Sequence, residues 1–182
     1  MKSINLTLIL IFLTCSFFKC NKAIDTVIVI QGFRTTDYNG NFLGQVGPAD
    51  QDWTFMTNLS PAEMALFNFD GPSLDNTVVS VPQNVVAYPN PASTQQLYLF
   101  SPPDSAVVKI VIVDANLKIA QKNALKIKGS SPAALDLSNR TTFPNHSSWR
   151  VYYSFSARNT PNFKVGYGDI RICDGGTVSD CF

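Results

Sequence analysis

The sequence predicts an all-β protein, an antiparallel β-sandwich preceded by a small segment made of one hairpin and one short helix. Three observations carry this. Short apolar-polar alternating runs between residues 85 and 173 are separated by turn signals, with no amphipathic helix pattern between them. The polarity of the chain is largely uncharged: 16 Ser, 13 Thr, 15 Asn and 7 Gln make up 51 of the 182 residues, against 15% charged, which suits strands joined by Asn- and Ser-bearing turns. The 13 Phe, 6 Tyr and 2 Trp, within an apolar fraction of 45%, supply a core and exclude wholesale disorder. A chain of 182 residues holds one domain with a modest appendage and excludes a large multidomain machine.

In chain order, residues 1–19 read as a secretory signal: Lys2 is followed by the apolar run Leu6 to Phe18, which Lys19 closes before it is long enough to span a bilayer. The run ends at Cys20-Asn21-Lys22 and resembles a bacterial lipoprotein signal. That resemblance implies lipidation at Cys20, with Cys15, preceded by Phe12-Leu13-Thr14, as the alternative. It makes the remainder an anchored domain, held to the membrane by acyl chains.

Residues 20–84 form the first segment. Asp25 to Ile30 is β-rich, and Phe33 to Thr36 and Phe42 to Val46 flank Asn39-Gly40, a strong hairpin signal because both turn residues tolerate positive φ. Ser60-Pro61-Ala62-Glu63 is a capping box with Pro at the first helical position and predicts a helix from Pro61 to Phe67, stopped by Asp70-Gly71-Pro72.

Residues 85–182 form the sandwich. Strands are expected at Gln96 to Phe100, at Val107 to Val113, at Leu125 to Lys128, at Trp149 to Ser156 and at Asp169 to Cys173. The second of these is interrupted only by Lys109, so its centre is expected to be buried on both faces. In the fourth, Trp149, Val151, Tyr153 and Phe155 share a face opposite Arg150, Tyr152 and Ser154. Cys173 and Cys181, in an oxidising compartment, are expected to form a disulfide around a flexible loop. The Cys…Trp…Cys spacing of antibody domains is absent.

Val85 to Ala92 contains Tyr88-Pro89-Asn90-Pro91, which resembles the opening of the C-terminal sorting domains carried by cargo of the type IX secretion system. Val111-Ile112-Val113-Asp114 with Lys118, Leu135-Asp136-Leu137-Ser138 and Trp149 to Tyr153 resemble later segments of that family, and Leu117 stands where the family has Gly. The resemblance implies an immunoglobulin-like sandwich and a sorting role for Tyr88, Pro89, Asn90 and Pro91. It also implies a turn after Asp114 that differs from the family's.

Net charge is +1, which excludes nucleic acid as a partner reached by electrostatics. Residues 20–90 hold two basic and seven acidic side chains, whereas residues 91–182 hold ten and six, so the halves are expected to attract each other. No nucleophile–base pair, metal cluster or phosphate-binding loop is present, and no catalytic residue, metal or cofactor is assigned. His146, the only histidine, lies in a polar loop before a strand, and Asp50 and Asp52 read as turn-capping acids. Asp37, Asn39 and Asn41 read as a turn rather than a calcium loop, because Glu is missing at the twelfth position. Tyr38, Trp53 and Phe55 are candidate partner-binding aromatics. Asp25-Thr26-Val27 and Asp104-Ser105-Ala106 match a short acceptor sequence for bacterial O-glycosylation. The first expectation is a non-enzymatic, lipid-anchored outer-membrane protein of the cell envelope, acting as a binding or assembly module for an envelope complex. The alternative is secreted or surface cargo read by the secretion machinery, and the third reading, an envelope hydrolase, is the weakest.

Overall fold

A strand as apolar as Ala106 to Val113 has to be covered on both faces, and the fold is organised around that demand. The computed structural model describes residues 27–49, 52–73, 85–100, 106–127, 131–157, 160–175 and 178–182. Its elements are β1 (Phe33–Thr36), β2 (Phe42–Val46), β3 (Thr54–Met56), α1 (Pro61–Ala65), β4 (Val85–Tyr88), β5 (Gln95–Phe100), β6 (Ala106–Val113), β7 (Ile119–Ile127), β8 (Ser131–Asp136), β9 (Ser148–Ala157), β10 (Thr160–Arg171) and α2 (Val178–Cys181).

The protein is an all-β sandwich. A five-stranded sheet in the order β3-β10-β9-β6-β7 faces a three-stranded sheet in the order β4-β5-β8, and β1 and β2 form a separate two-stranded ribbon. All strand pairs are antiparallel. With β4 to β10 lettered A to G, the small sheet is A-B-E. The large one carries G-F-C with the fourth strand beside C, an immunoglobulin-like arrangement in which that strand has changed sheets.

Between the sheets, Ile110, Ile112, Tyr153 and Phe155 of the large sheet meet Val85, Ala87, Tyr98 and Leu135 of the small one. The β6–β9 register sets Val108 opposite Phe155 and Ile110 opposite Tyr153, which makes cross-strand pairs of large side chains. Trp53 inserts beside them, and β10 yields the space: a Cβ at Gly168 would lie 2.2 Å from the Trp53 ring. On the second face, Val111, Val113, Tyr152 and Val165 are covered by Ile28, Leu66 and Phe67 of the first segment. The expected burial of β6 on both faces is therefore realised.

The hairpin strands have the expected limits. The capping box forms as expected: the Glu63 N–H donates to Ser60 Oγ and the Ser60 N–H to Glu63 Oε2. The helix is shorter than expected and is capped at Leu66. Asp25 and Thr26 lie outside the described residues, and Val27 to Ile30 is not a strand. Ile28 there is buried and donates its N–H to the Ala115 carbonyl, but no ladder partner lies beside it among the described residues. β3 and β8 join the sheets without having been expected, and β10 begins at Thr160 rather than near Asp169. Leu117 keeps the turn that Gly would favour: its φ is +59°, and its N–H donates to the Asp114 carbonyl.

The expected attraction between the halves takes another form. Both ion pairs among the described residues, Arg140–Asp174 and Arg150–Asp169, lie within residues 91–182. The first segment is held by apolar cover and by hydrogen bonds. Lys109 donates to the Phe67 and Phe69 carbonyls, Tyr152 to Glu63 Oε1 and Arg150 to the Val29 carbonyl.

Candidate functional site

The Tyr88 to Pro91 segment carries the chain from one sheet to the other. Tyr88 ends β4, and two residues past Asn90, Ala92 bridges Ile172 in parallel, with Ala92 N–H to Arg171 O and Cys173 N–H to Ala92 O both 2.8 Å. The Tyr88–Pro89 and Asn90–Pro91 bonds are cis. Prolines suit a segment that is leaving one ladder for another, since neither position has an N–H to satisfy. Asn90 is fully buried and hydrogen-bonded throughout. Its Nδ2 donates to Arg34 O and Asp169 O at 2.9 and 3.0 Å, its Oδ1 accepts from the Arg171 N–H, and its backbone exchanges two bonds with Thr36. The segment is thus a structural joint, with Pro89 and Pro91 partly exposed at its outer side.

Above this joint stands the β1–β2 turn. Asp37 Oδ1 accepts from the Asn39 and Asn41 N–H groups and Oδ2 from Asn41 Nδ2, which spends the carboxylate on the turn. The Asn41 side chain and these amides hold the carboxyl below its usual range. Gly40, at φ +81°, sits over the Tyr88 ring. The turn lifts Tyr38 into solvent at 80% exposure, and Leu43, at 57%, has no cross-strand partner because the ladder shifts register there.

The third wall is the C-terminal loop. Cys173 and Cys181 are joined by a disulfide, and Phe182 packs on Phe33 with ring centroids 5.0 Å apart. Arg171 Nε holds the Cys181 carbonyl, and Arg140 pairs with Asp174. Between the three walls lies a cleft of about 260 Å³ lined by Tyr38, Leu43, Pro89, Pro91, the disulfide and Asp37. Such a surface takes up an apolar or aromatic group and presents one ionised carboxylate beside it. It brings together no nucleophile and base.

Of the aromatics expected at a partner site, Tyr38 is there and the other two are elsewhere. Trp53 is buried, stacked on Tyr153 at 6.2 Å and edge-on to Tyr98 at 5.8 Å. Phe55 is half-buried, packing edge-on against Tyr153 and Phe155. β3 pairs with β10, which draws both rings onto the core. His146 stands exposed in a turn, where its backbone N–H donates to Ile172 O. Cys15, Cys20, Asp25, Thr26, Asp50, Asp104 and Ser105 lie outside the described residues. Among the described residues, no group of three or more His, Cys, Asp or Glu is placed to hold a metal ion.

One cluster was not expected. Asp52 caps no turn; it is 3% exposed and accepts from the Arg34 N–H at 3.0 Å and from the Asp169 N–H. Asp169, equally buried, is gripped by Arg150 through Nε at 2.7 Å and Nη2 at 2.8 Å, and the guanidinium lies 4.0 Å from the Tyr167 ring centroid. Burial pushes both carboxyls up. Arg150 restrains Asp169, whereas Asp52 also feels the Asp169 carboxylate and reaches about 7. The sequence signal was available only in part: an acid four residues past Pro48 reads as a loop residue until its distant partners are known.

No protein-family model matches the chain, and no curated protein matches it.

Proposed function

We propose that this chain is an exported, lipid-anchored cell-envelope protein whose immunoglobulin-like sandwich acts as a non-enzymatic binding or assembly module, taking its partner at the hairpin end. The observation that carries the reading is the cleft between Tyr38, Leu43, the two prolines and the disulfide, where large apolar groups stay exposed around a concave surface. The disulfide suits an oxidising compartment, and the Lys2 to Cys20 segment supplies export and an anchor. Pull-down from solubilised envelope, comparing the wild-type chain with Tyr38→Ala and Leu43→Ser, tests it. A partner retained by the wild type and lost by both variants supports the reading, and equal recovery refutes it.

A second reading, cargo carrying a type IX sorting domain, is favoured by one observation: Tyr88-Pro89-Asn90-Pro91 opens the first strand crossover of an immunoglobulin-like sandwich. Mass spectrometry of the mature termini separates the two. Acylated Cys20 or Cys15 with Phe182 intact supports the anchored module, and loss of the sandwich after export supports cargo.

A further inference from the structure

A second concave site lies between the β1–β2 ribbon and β4. Alternation along β1 puts Arg34 and Thr36 on one face, and the ribbon's register sets Phe42 opposite Thr36 on that same face. The face meets β4, where Thr36 Oγ1 donates to the Ala87 carbonyl at 2.8 Å. Between them is a cavity of about 90 Å³, with Trp53, Val85 and Ala87 buried at its floor and Arg34 and Phe42, the latter 56% exposed, at its rim. That is more room than a single water needs. Trp53 brings to it an indole N–H that is buried and has no hydrogen-bond partner among the described residues. Arg34 is the charged residue that lines it, and its guanidinium, 5.1 Å from the Phe42 ring centroid, pairs with no carboxylate among the described residues. Asp52, next to Trp53 in sequence, answers neither donor, because its oxygens take the Arg34 and Asp169 backbone N–H groups.

A buried donor left unpaired costs stability, and a phenyl ring at position 53 would fill much of the same gap without one. The indole is seated, moreover, at φ +59°, a left-handed conformation that a bulky side chain disfavours, and over Gly168, whose missing side chain makes room for it. We propose that this cavity is a carboxylate-binding site, in which the Trp53 indole N–H and the Arg34 guanidinium hold the anion while Val85, Ala87 and Phe42 enclose a short apolar stem. An ionised acceptor satisfies both donors at once, and a guanidinium matches the planar carboxylate. The ligand is a small organic acid or the C-terminal residue of a peptide, which share that group. The site is separate from the cleft at Tyr38 and Leu43 and does not depend on it.

The test is an NMR titration of the full chain with sodium propionate and, separately, with acetyl-Gly-Ala, at constant ionic strength with chloride as the balancing anion. The readout is the Trp53 indole N–H signal, which should move downfield and saturate as it gains an acceptor. The Trp149 indole, already donating to Ser147 Oγ at 2.7 Å, should stay in place, and Trp149→Phe tells the two signals apart. Affinity should fall about tenfold or more in Arg34→Gln, and by as much when propionamide replaces propionate. Tighter binding of the peptide assigns the site to a chain terminus, and equal or weaker binding of it assigns the site to a free acid. A Trp53 signal that neither ligand moves, a shift that does not saturate, or undiminished affinity in Arg34→Gln or for propionamide overturns the proposal. The Arg34 guanidinium makes no hydrogen bond among the described residues, so its replacement should leave the fold in place, and the propionamide comparison needs no variant. The readout is ligand binding at Trp53, so it stands apart from whether the Tyr38 cleft binds a partner.

Discussion

The two faces of the five-stranded sheet are covered by different chemistry. The inner face, toward β4-β5-β8, presents Ile110, Ile112, Val151, Tyr153, Phe155 and Ile170, and it is closed chiefly by apolar volume, with the Tyr153 hydroxyl on the Thr54 carbonyl and the Tyr98 hydroxyl on the buried Gln96 side chain. The outer face mixes Val111 and Val113 with Lys109, Arg150, Tyr152 and Ser154; the first segment covers it with apolar side chains and answers Lys109, Arg150 and Tyr152 with hydrogen bonds, whereas the buried Ser154 hydroxyl has no hydrogen-bond partner among the described residues. Apolar cover has one setting, because close packing tolerates little change in volume. Polar cover has several, because each hydrogen bond depends on a partner that can move or change protonation. The inner face fixes the fold, and the outer face is where the molecule can be adjusted.

Four substitutions probe that contrast. Phe155→Ala, on the inner face, should cost about 3–5 kcal/mol in urea denaturation, through lost burial and the cavity left behind. A loss near 1 kcal/mol would mean that the two sheets are loosely closed. Asn90→Ala removes the joint and leaves the Arg171 N–H and the Arg34 and Asp169 carbonyls without it, so a loss of about 3 kcal/mol is expected, and a neutral result would show that water replaces the side chain. Tyr152→Phe, on the outer face, deletes the hydrogen bond to Glu63 and should cost about 2 kcal/mol. That loss should shrink as pH falls and Glu63 protonates, because Glu63 titrates below its usual value in the folded state. Tyr38→Ala should change stability by less than about 0.5 kcal/mol while reducing partner recovery. A large destabilisation there would assign Tyr38 to the fold instead of the cleft.

What the sequence disclosed divides along the same line. Features encoded within a few residues were legible: the Asn39-Gly40 hairpin, the Ser60–Glu63 box, the alternation of β9 and the two-sided burial of β6. Features that depend on distant partners were not. β3 has three residues, and only pairing with Val165 to Tyr167 makes it a strand and buries Trp53. Val27 to Ile30 has the composition of a strand but lies against Ala115 and Arg150 without a ladder. Ser131 to Asp136 was not among the expected strands; β8 forms at the edge of the small sheet, where the absent N–H of Pro132 is tolerated. At the candidate site, Tyr38 and the disulfide were visible, while Asp52 looked like any loop acid because its burial is created by β1 and β10 together.

The pairing of β3 with β10 also sets an order of events. Asp52 meets the Asp169 amide across 117 residues, and the Tyr153 hydroxyl meets the Thr54 carbonyl across 99. Contacts of that span have to close a long stretch of chain before they return any stabilisation, which slows folding. Until β10 has been made, the edge strand, the Trp53 plug and the crossover's bridge to Ile172 have nothing to bind. The ladders β4-β5-β8 and β7-β6-β9 need no β10, so the edge strand and the Trp53 plug are the parts that close last.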